Sequence, residues 1–199
     1  MSPRPRKVSD DDVFAAAYRA MHRVGPSELT LALIAEEAGV TASALAQRFG
    51  SKRGLLLAIA GGAAAYAGDF VRSLRAKHRS PLAALRAYAA CLADLAPSPA
   101  ALARSLAYLQ IDLTDPDLRA HLAAQGRATR EGIEELLADA VRTRELKRGT
   151  DVRLLARAIE VTLNGSLLTW AFYQDVPAAQ RLREDIDAVL APHLVRKAR

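Results

Sequence analysis

The sequence predicts an all-α protein, and three observations carry that reading. Of 199 residues, 42 are Ala and 29 are Leu, both strong helix formers, whereas Val and Ile together number 17. Aromatic residues are only 5% of the chain, so the residue types that favour strands are scarce. Helix caps and breakers recur along the chain at spacings that fit about nine helices. The length suits one large or two small domains. An apolar content of 51% is enough to build a core, which excludes a disordered chain.

Taken in order, Ser9 caps a first helix, with Asp10, Asp11 and Asp12 at its positive end. Val13, Ala17, Ala20, Met21 and Val24 follow at helical spacing, and Gly25-Pro26 ends it. Thr30 opens a short helix over 31–38, stopped by Gly39; Thr41 caps another over 42–49, stopped by Gly50. Ser51 starts a fourth that reaches about Lys77. Pro81 to Leu95 is a fifth, ended by Pro97, and Pro99 to about Ile111 a sixth. Asp115-Pro116 is a cap followed by a first-turn proline, opening a helix predicted to reach Leu146, roughly 46 Å long with bends at Gly126 and Gly132. Asp151 to Tyr173 and a last segment from about Pro177 to Pro192 complete the set. Arg4, Arg6 and Lys7 read equally well as a DNA-contacting arm or a solvated tail, and Arg196, Lys197 and Arg199 as a fraying tail.

Several function classes fall away. The single cysteine, Cys91, allows no internal disulfide and fits a reducing compartment. Met1 to Asp12 has no apolar stretch, so no secretory leader is expected. The longest uncharged run, Gly54 to Gly68, is 15 residues, short of the roughly 20 a membrane span needs. No membrane partner is therefore expected. His22, His78, His121 and His193 lie in separate segments, and Gly61-Gly62 belongs to no phosphate-loop pattern. No catalytic residue, metal or cofactor is expected. A net charge of +6 permits a nucleic-acid partner without pointing to one.

The informative stretch is Thr30 to Leu56, TLALIAEEAGVTASALAQRFGSKRGLL. It holds two helices of about eight residues joined by a tight turn at Gly39. Ile34, Ala35 and Ala38 share one face of the first, Leu45 and Phe49 one face of the second, and the small alanines allow a close crossing. That is the pattern of a helix-turn-helix unit. With Ile34-Ala35, Ala38-Gly39-Val40-Thr41, Leu45, Phe49, Ser51-Lys52 and Leu55-Leu56 in this register, the chain resembles the tetracycline-repressor family of bacterial regulators. One departure stands in the second helix, where Ala46 replaces the family's usual tyrosine and removes a phosphate contact. Arg48, where the family often has His or Tyr, could supply one instead.

The resemblance implies an N-terminal DNA-binding domain over 1–56 and an effector-binding and dimerisation domain over 57–199. It places Ala42, Ser43 and Gln47 on base edges. Thr30, Thr41, Arg48 and Lys52 fall on phosphates, although the threonines are also ordinary caps. Tyr66, Phe70, Tyr88, Cys91, Tyr108, Gln125, Asn164, Trp170 and Tyr173 are the candidate lining of an effector pocket, each also readable as plain core. Two apolar stripes could be internal core, but the resemblance pairs them with a second copy: Leu155, Ile159, Thr162, Leu163, Ser166, Thr169 and Trp170, and Leu182, Ile186, Val189 and Leu190. The function implied is a cytoplasmic, homodimeric, ligand-responsive regulator, a repressor of a pseudo-palindromic double-stranded operator released by a small-molecule effector. The rival is a helical small-molecule-binding protein or enzyme without operator binding.

Overall fold

The caps decide where the helices begin in the computed structural model, which describes residues 8–195. The basic residues Arg4, Arg6, Lys7, Arg196, Lys197 and Arg199 lie outside that range. Helix α1 (Asp10–Arg23) starts with a capping box: Ser9 Oγ accepts from the Asp12 amide at 3.1 Å, and the Asp12 carboxylate accepts from the Ser9 amide at 3.0 Å. The hydroxyls of Thr30 and Thr41 accept from the amides of Leu33 and Ala44, opening α2 (Leu31–Ala38) and α3 (Ala42–Phe49). There follow α4 (Lys52–Lys77), α5 (Pro81–Asp94), α6 (Pro99–Thr114), α7 (Pro116–Arg142), α8 (Val152–Tyr173) and α9 (Ala178–Leu190), then a 3-10 turn over Ala191–His193. Among the described residues there is no strand, only an isolated bridge between Leu146 and Leu194.

Two helix ends differ from the sequence expectation. Helix α6 runs past Ile111 to Thr114, whose hydroxyl donates back to the carbonyl of Gln110 at 2.9 Å. Helix α7 stops at Arg142 rather than Leu146, because the chain reverses there. Arg144 takes a positive φ of 61°, Leu146 turns into the core, and residues 145–147 bond to 193–195 through Lys147 N–H to His193 O and Val195 N–H to Glu145 O. By length and composition alone α4 is long and apolar enough to cross a membrane, with an 18-residue window of mean hydropathy 1.5. That window is wider than the uncharged run of 54–68 because it admits flanking charges. In this chain Leu55, Val71 and Leu74 of α4 are buried.

The chain forms two compact units. One comprises the chain up to Gly62 with Ala103–Ala120, and the other Ala63–Leu102 with the chain from His121 onward. Val13, Ala17, Ala20, Leu29, Ile34, Leu45, Leu55 and Tyr108 are buried together in the first. In the second, Leu82, Leu85, Ile133, Leu137, Ile159, Leu163, Leu182, Ile186 and Leu190 make the core. The stretch 103–120, expected with the C-terminal part, groups with the first unit because Tyr108 belongs to its core.

Most of the two stripes expected to face a second copy is internal to this chain, while Thr169 is exposed. Leu155, Ile159, Leu163, Ile186 and Leu190 are buried in the second unit's own core, where α8 packs on α9 and α9 on α5. Ser166 is buried with them and donates its hydroxyl to Asp185 at 2.7 Å. Thr162 and Val189 are half-buried. Helical periodicity shows that these residues share a face; it does not say which neighbour covers it.

Candidate nucleic-acid interface

A helix of eight residues has little stability of its own, so α3 must be held by its neighbours. Gly39 provides the turn that brings it onto α2: it adopts φ 68°, ψ 33°, and Val40 N–H reaches back to Ala35 O at 2.9 Å. One face of α3 is then sunk into the core through Leu45, against Ile34 and Ala35. Phe49 packs beside Phe14 of α1, ring centroids 6.1 Å apart. On the far side α4 starts so close that a Cβ on Gly54 would stand 2.0 Å from the Phe49 carbonyl oxygen. Only glycine permits that approach.

Ala42, Ser43, Ala46 and Gln47 form the outward face of α3, all exposed. The Gln47 side chain stands exposed on that face. Ser43 Oγ lies 3.0 Å from Thr41 Oγ1, so the cap and the first turn are linked. Thr30 and Thr41 are both exposed caps at helix N-termini, where backbone amides point outward. Lys52 is half-buried, and its ammonium donates to the Pro26 carbonyl at 3.0 Å. Arg48 is engaged within the chain: Nη1 donates to Val8 O at 2.9 Å, the guanidinium pairs with Asp10, and its carbon lies 5.4 Å from the Phe49 ring centre.

A second set of contacts, absent from the sequence reading, grips the same unit from α6 and the start of α7. Arg104 Nε donates to His22 O at 3.0 Å and the Tyr108 hydroxyl to Val24 O at 3.1 Å, one helical turn apart on α6. Together with Lys52 on Pro26 they hold carbonyls at the end of α1 and in the turn that follows it. Burial pushes the Tyr108 phenol up to about 12. Arg53, on the first turn of α4, places Nε and Nη2 on Asp115 at 2.6 and 2.9 Å and Nη2 also on Asp117 at 2.7 Å. Asp115 in turn accepts from the amides of Asp117 and Leu118 as the cap of α7. The cap was legible in the sequence as Asp115-Pro116; its ionic partner 62 residues away was not. On the α1–α2 side, Arg19 and Arg23 bracket Glu37 at 2.9 and 2.7 Å, and the Arg19 hydrogen bond leads in holding its carboxyl below the usual range.

The nine expected effector residues do not gather in one place. Tyr66, Phe70 and Tyr88 do: Tyr66 stacks on Phe70 at 6.0 Å and 12°, and Phe70 meets Tyr88 at 6.3 Å and 56°. Burial pushes the Tyr88 phenol up, against a hydrogen bond with Thr129 that draws it down. Cys91 and Gln125 are half-buried on α5 and α7. Tyr108 is corrected to the core of the first unit. Asn164 is exposed and donates to Glu160 O on its own helix, so it needs no buried partner. Trp170 is buried, its indole N–H capping Val176 O at 3.0 Å. Tyr173 is exposed, at the rim of an open groove of about 610 Å³ beside Gly165, Ser166, Thr169 and Arg181. Among the described residues no group of three or more His, Cys, Asp or Glu is placed to hold a metal.

Comparison with known proteins divides the chain once, between residues 59 and 81, and leaves 103–120 with the C-terminal part. Residues 13–59 match the family model described as bacterial regulatory proteins, tetR family, and residues 81–195 match that of the BetI-type transcriptional repressor, C-terminal. No protein of curated function matches the sequence. Among solved structures, SmeT, the repressor of the Stenotrophomonas maltophilia multidrug efflux pump SmeDEF, is similar at 21% identity and a TM-score of 0.66, covering 95% of this chain and 92% of its own. A TetR transcription regulator from Haloarcula marismortui is similar at 17% identity and a TM-score of 0.72, covering 94% and 98%. Thermus thermophilus FadR, a TetR-family repressor solved with lauroyl-CoA, is similar at 25% identity and a TM-score of 0.57, covering 96% and 97%.

The Arg53 contact makes stability depend on acidity in a defined direction. Its hydrogen bonds, followed by those of the Leu118 and Asp117 amides, hold the Asp115 carboxyl down to about 2, from an ordinary value of 3.8. A carboxylate with a lowered folded value stabilises the fold above its unfolded value and stops doing so as pH falls through the folded one. Asp115→Asn should therefore be less stable than the unaltered protein near neutral pH. The gap should narrow as pH falls from about 5 to about 2. Denaturant unfolding at several pH values measures it, and a gap of constant size would contradict the assignment.

Proposed function

The chain belongs to the tetR family of bacterial regulatory proteins, and from this we propose that it represses transcription as a homodimer on a pseudo-palindromic operator in the cytoplasm, without enzymatic activity, and leaves the operator when a small molecule binds. The observation that carries the DNA-reading role is the outward face of α3. Ala42, Ser43, Ala46 and Gln47 are exposed on a helix whose opposite face is sunk in a core. Gln can pair bidentately with adenine, Ser can donate or accept, and alanine methyls can meet the thymine methyl. Three of the four are small, which lets the helix lie close to base edges in the major groove. Thr30, Thr41 and Lys52 have the position and chemistry for phosphates. The functional division proposed is DNA reading by 1–56 and effector response and dimerisation by 57–199.

The dimer reading moves to a different face of α8 from the one expected. Leu154, Val161, Leu168 and Phe172 are exposed by 66, 64, 43 and 69%, and their spacings of seven, seven and four keep them on one seam, with Gly165 between. An apolar seam of this kind in contact with water favours a second copy across it. Two such chains would set their α3 helices on half-sites about one helical turn apart or a multiple of it. For the effector, the support is the aromatic row Tyr66–Phe70–Tyr88. Two structural neighbours carry ligands in their complexes, triclosan in SmeT and lauroyl-CoA in FadR. An effector acts only through its different affinity for the DNA-bound and free conformers.

Selection of bound duplexes from random DNA tests the function. An enriched, two-fold symmetric sequence is expected; recovery of no sequence preference favours a helical ligand-binding protein instead. On the selected duplex, Gln47→Ala should cost about 1–3 kcal/mol per half-site, with little loss on scrambled DNA. Lys52→Ala should weaken both duplexes alike and make the log–log salt dependence shallower by about one unit per motif. Equal loss on both duplexes with Gln47→Ala would make Gln47 a backbone contact.

The dimer has its own test. Val161→Glu should give a monomer by light scattering while the melting temperature of the fold is kept, since Val161 is on the surface. Leu163→Glu, by contrast, puts an unpaired charge in the core and should unfold the chain. A Val161→Glu protein that stays dimeric would place the interface elsewhere.

A further inference from the structure

We propose that Arg48 is a positioning residue: it clasps the C-terminal end of α3 to the entry of α1 and sets the angle at which the reading face is presented, instead of neutralising a DNA phosphate. This rests on the reading of α3 as the helix that enters the groove.

The geometry is specific. The guanidinium bridges two groups at the start of α1, accepting no help from α2: Nη1 donates to the Val8 carbonyl at 2.9 Å and Nη2 pairs with the Asp10 carboxylate. Its plane carbon stands 5.4 Å from the centre of the Phe49 ring, and that ring packs on Phe14 of α1. Polar clasp and aromatic contact thus join the same two elements, α3 to α1. A planar fork with several donors can hold a carbonyl and a carboxylate together; a single ammonium serves that geometry poorly. Charge accounting points the same way. A phosphate contact releases counterions in proportion to the charge a side chain offers, and Arg48 shares its charge with Asp10. Lys52, whose only partner among the described residues is a neutral carbonyl, offers its charge whole. Asp10 sits on the first turn of α1, at the positive end of that helix. The outward face of α3 carries Ala46, which offers only a methyl. The orientation of that face is consequently set from behind, by Leu45, Phe49 and Arg48.

The test uses the full chain and a duplex enriched from random DNA by the unaltered protein, with a scrambled duplex as reference, titrated at several salt concentrations. Arg48→Ala should lower the preference for the enriched duplex by roughly tenfold, about the worth of one charge-assisted hydrogen bond, with the log–log salt slope unchanged. Arg48→Lys, which keeps the charge and loses the fork, should not restore it. Asp10→Asn should lower the preference in the unaltered protein but change it no further once Arg48 is Ala. The proposal is overturned if Arg48→Ala weakens both duplexes equally with a shallower slope and Arg48→Lys restores binding, the behaviour of a phosphate contact. Amide exchange on the free protein reads the clasp even if no duplex is enriched. The amides of 46–50 should exchange faster in Arg48→Ala and in Asp10→Asn, with the double variant no faster than the singles; unchanged exchange in both would also overturn it.

Discussion

Eight residues are too few for a helix to hold itself together in water, and α3 is eight residues long. Its shape and direction come from what grips it, and most of the first unit serves that grip. Thr41 closes its first turn, Leu45 anchors its inner face, Phe49 leans on Phe14, and Arg48 reaches the start of α1. Gly54 lets α4 begin directly on the Phe49 carbonyl. Apart from Arg48, the residues left outside are small or neutral, as the proposed approach to base edges requires. On that reading binding and folding are one problem: each contact that orders α3 also aims it.

The same logic extends to α6 and the start of α7. Arg104 and Tyr108 take carbonyls at the end of α1, while Arg53 ties the start of α4 to the cap of α7. The Arg53–Asp115 ion pair is exposed and contributes little by itself, whereas Tyr108 is also a buried member of the core. Their arrangement matters more: they make residues 103–120 a structural part of the unit that carries α3.

What was legible in the sequence and what was not separates along a physical line. Caps are local, so Ser9, Thr30, Thr41 and Asp115 announce their helices correctly, and Gly39 announces its left-handed turn. The outward face of α3 is local too, because a single buried position, Leu45, fixes the rest by periodicity. Pairings between distant segments leave no such mark. Helix α7 ends early because residues 193–195 bond across its exit. Tyr108, an aromatic among alanines and leucines, could have lined either unit's interior and belongs to the first. Helix α8 carries two apolar faces, and the richer one, through Leu155, Ile159 and Leu163, went inward; the seam through Leu154, Val161 and Leu168 stayed on the surface. Composition alone does not tell a face kept for the chain's own core from one left on its surface.

The central claim is that position 47 faces base edges in each of two symmetric half-sites. It is tested most directly by cleavage from that position. With Cys91 replaced by Ser, the only cysteine of a Gln47→Cys protein can carry a tethered iron chelate, whose radicals cut the DNA strands beside it. The account predicts two clusters of cuts in the major groove, one per half-site, related by the two-fold axis of the selected duplex. Cuts spread evenly along the duplex, or confined to the minor groove, would contradict it.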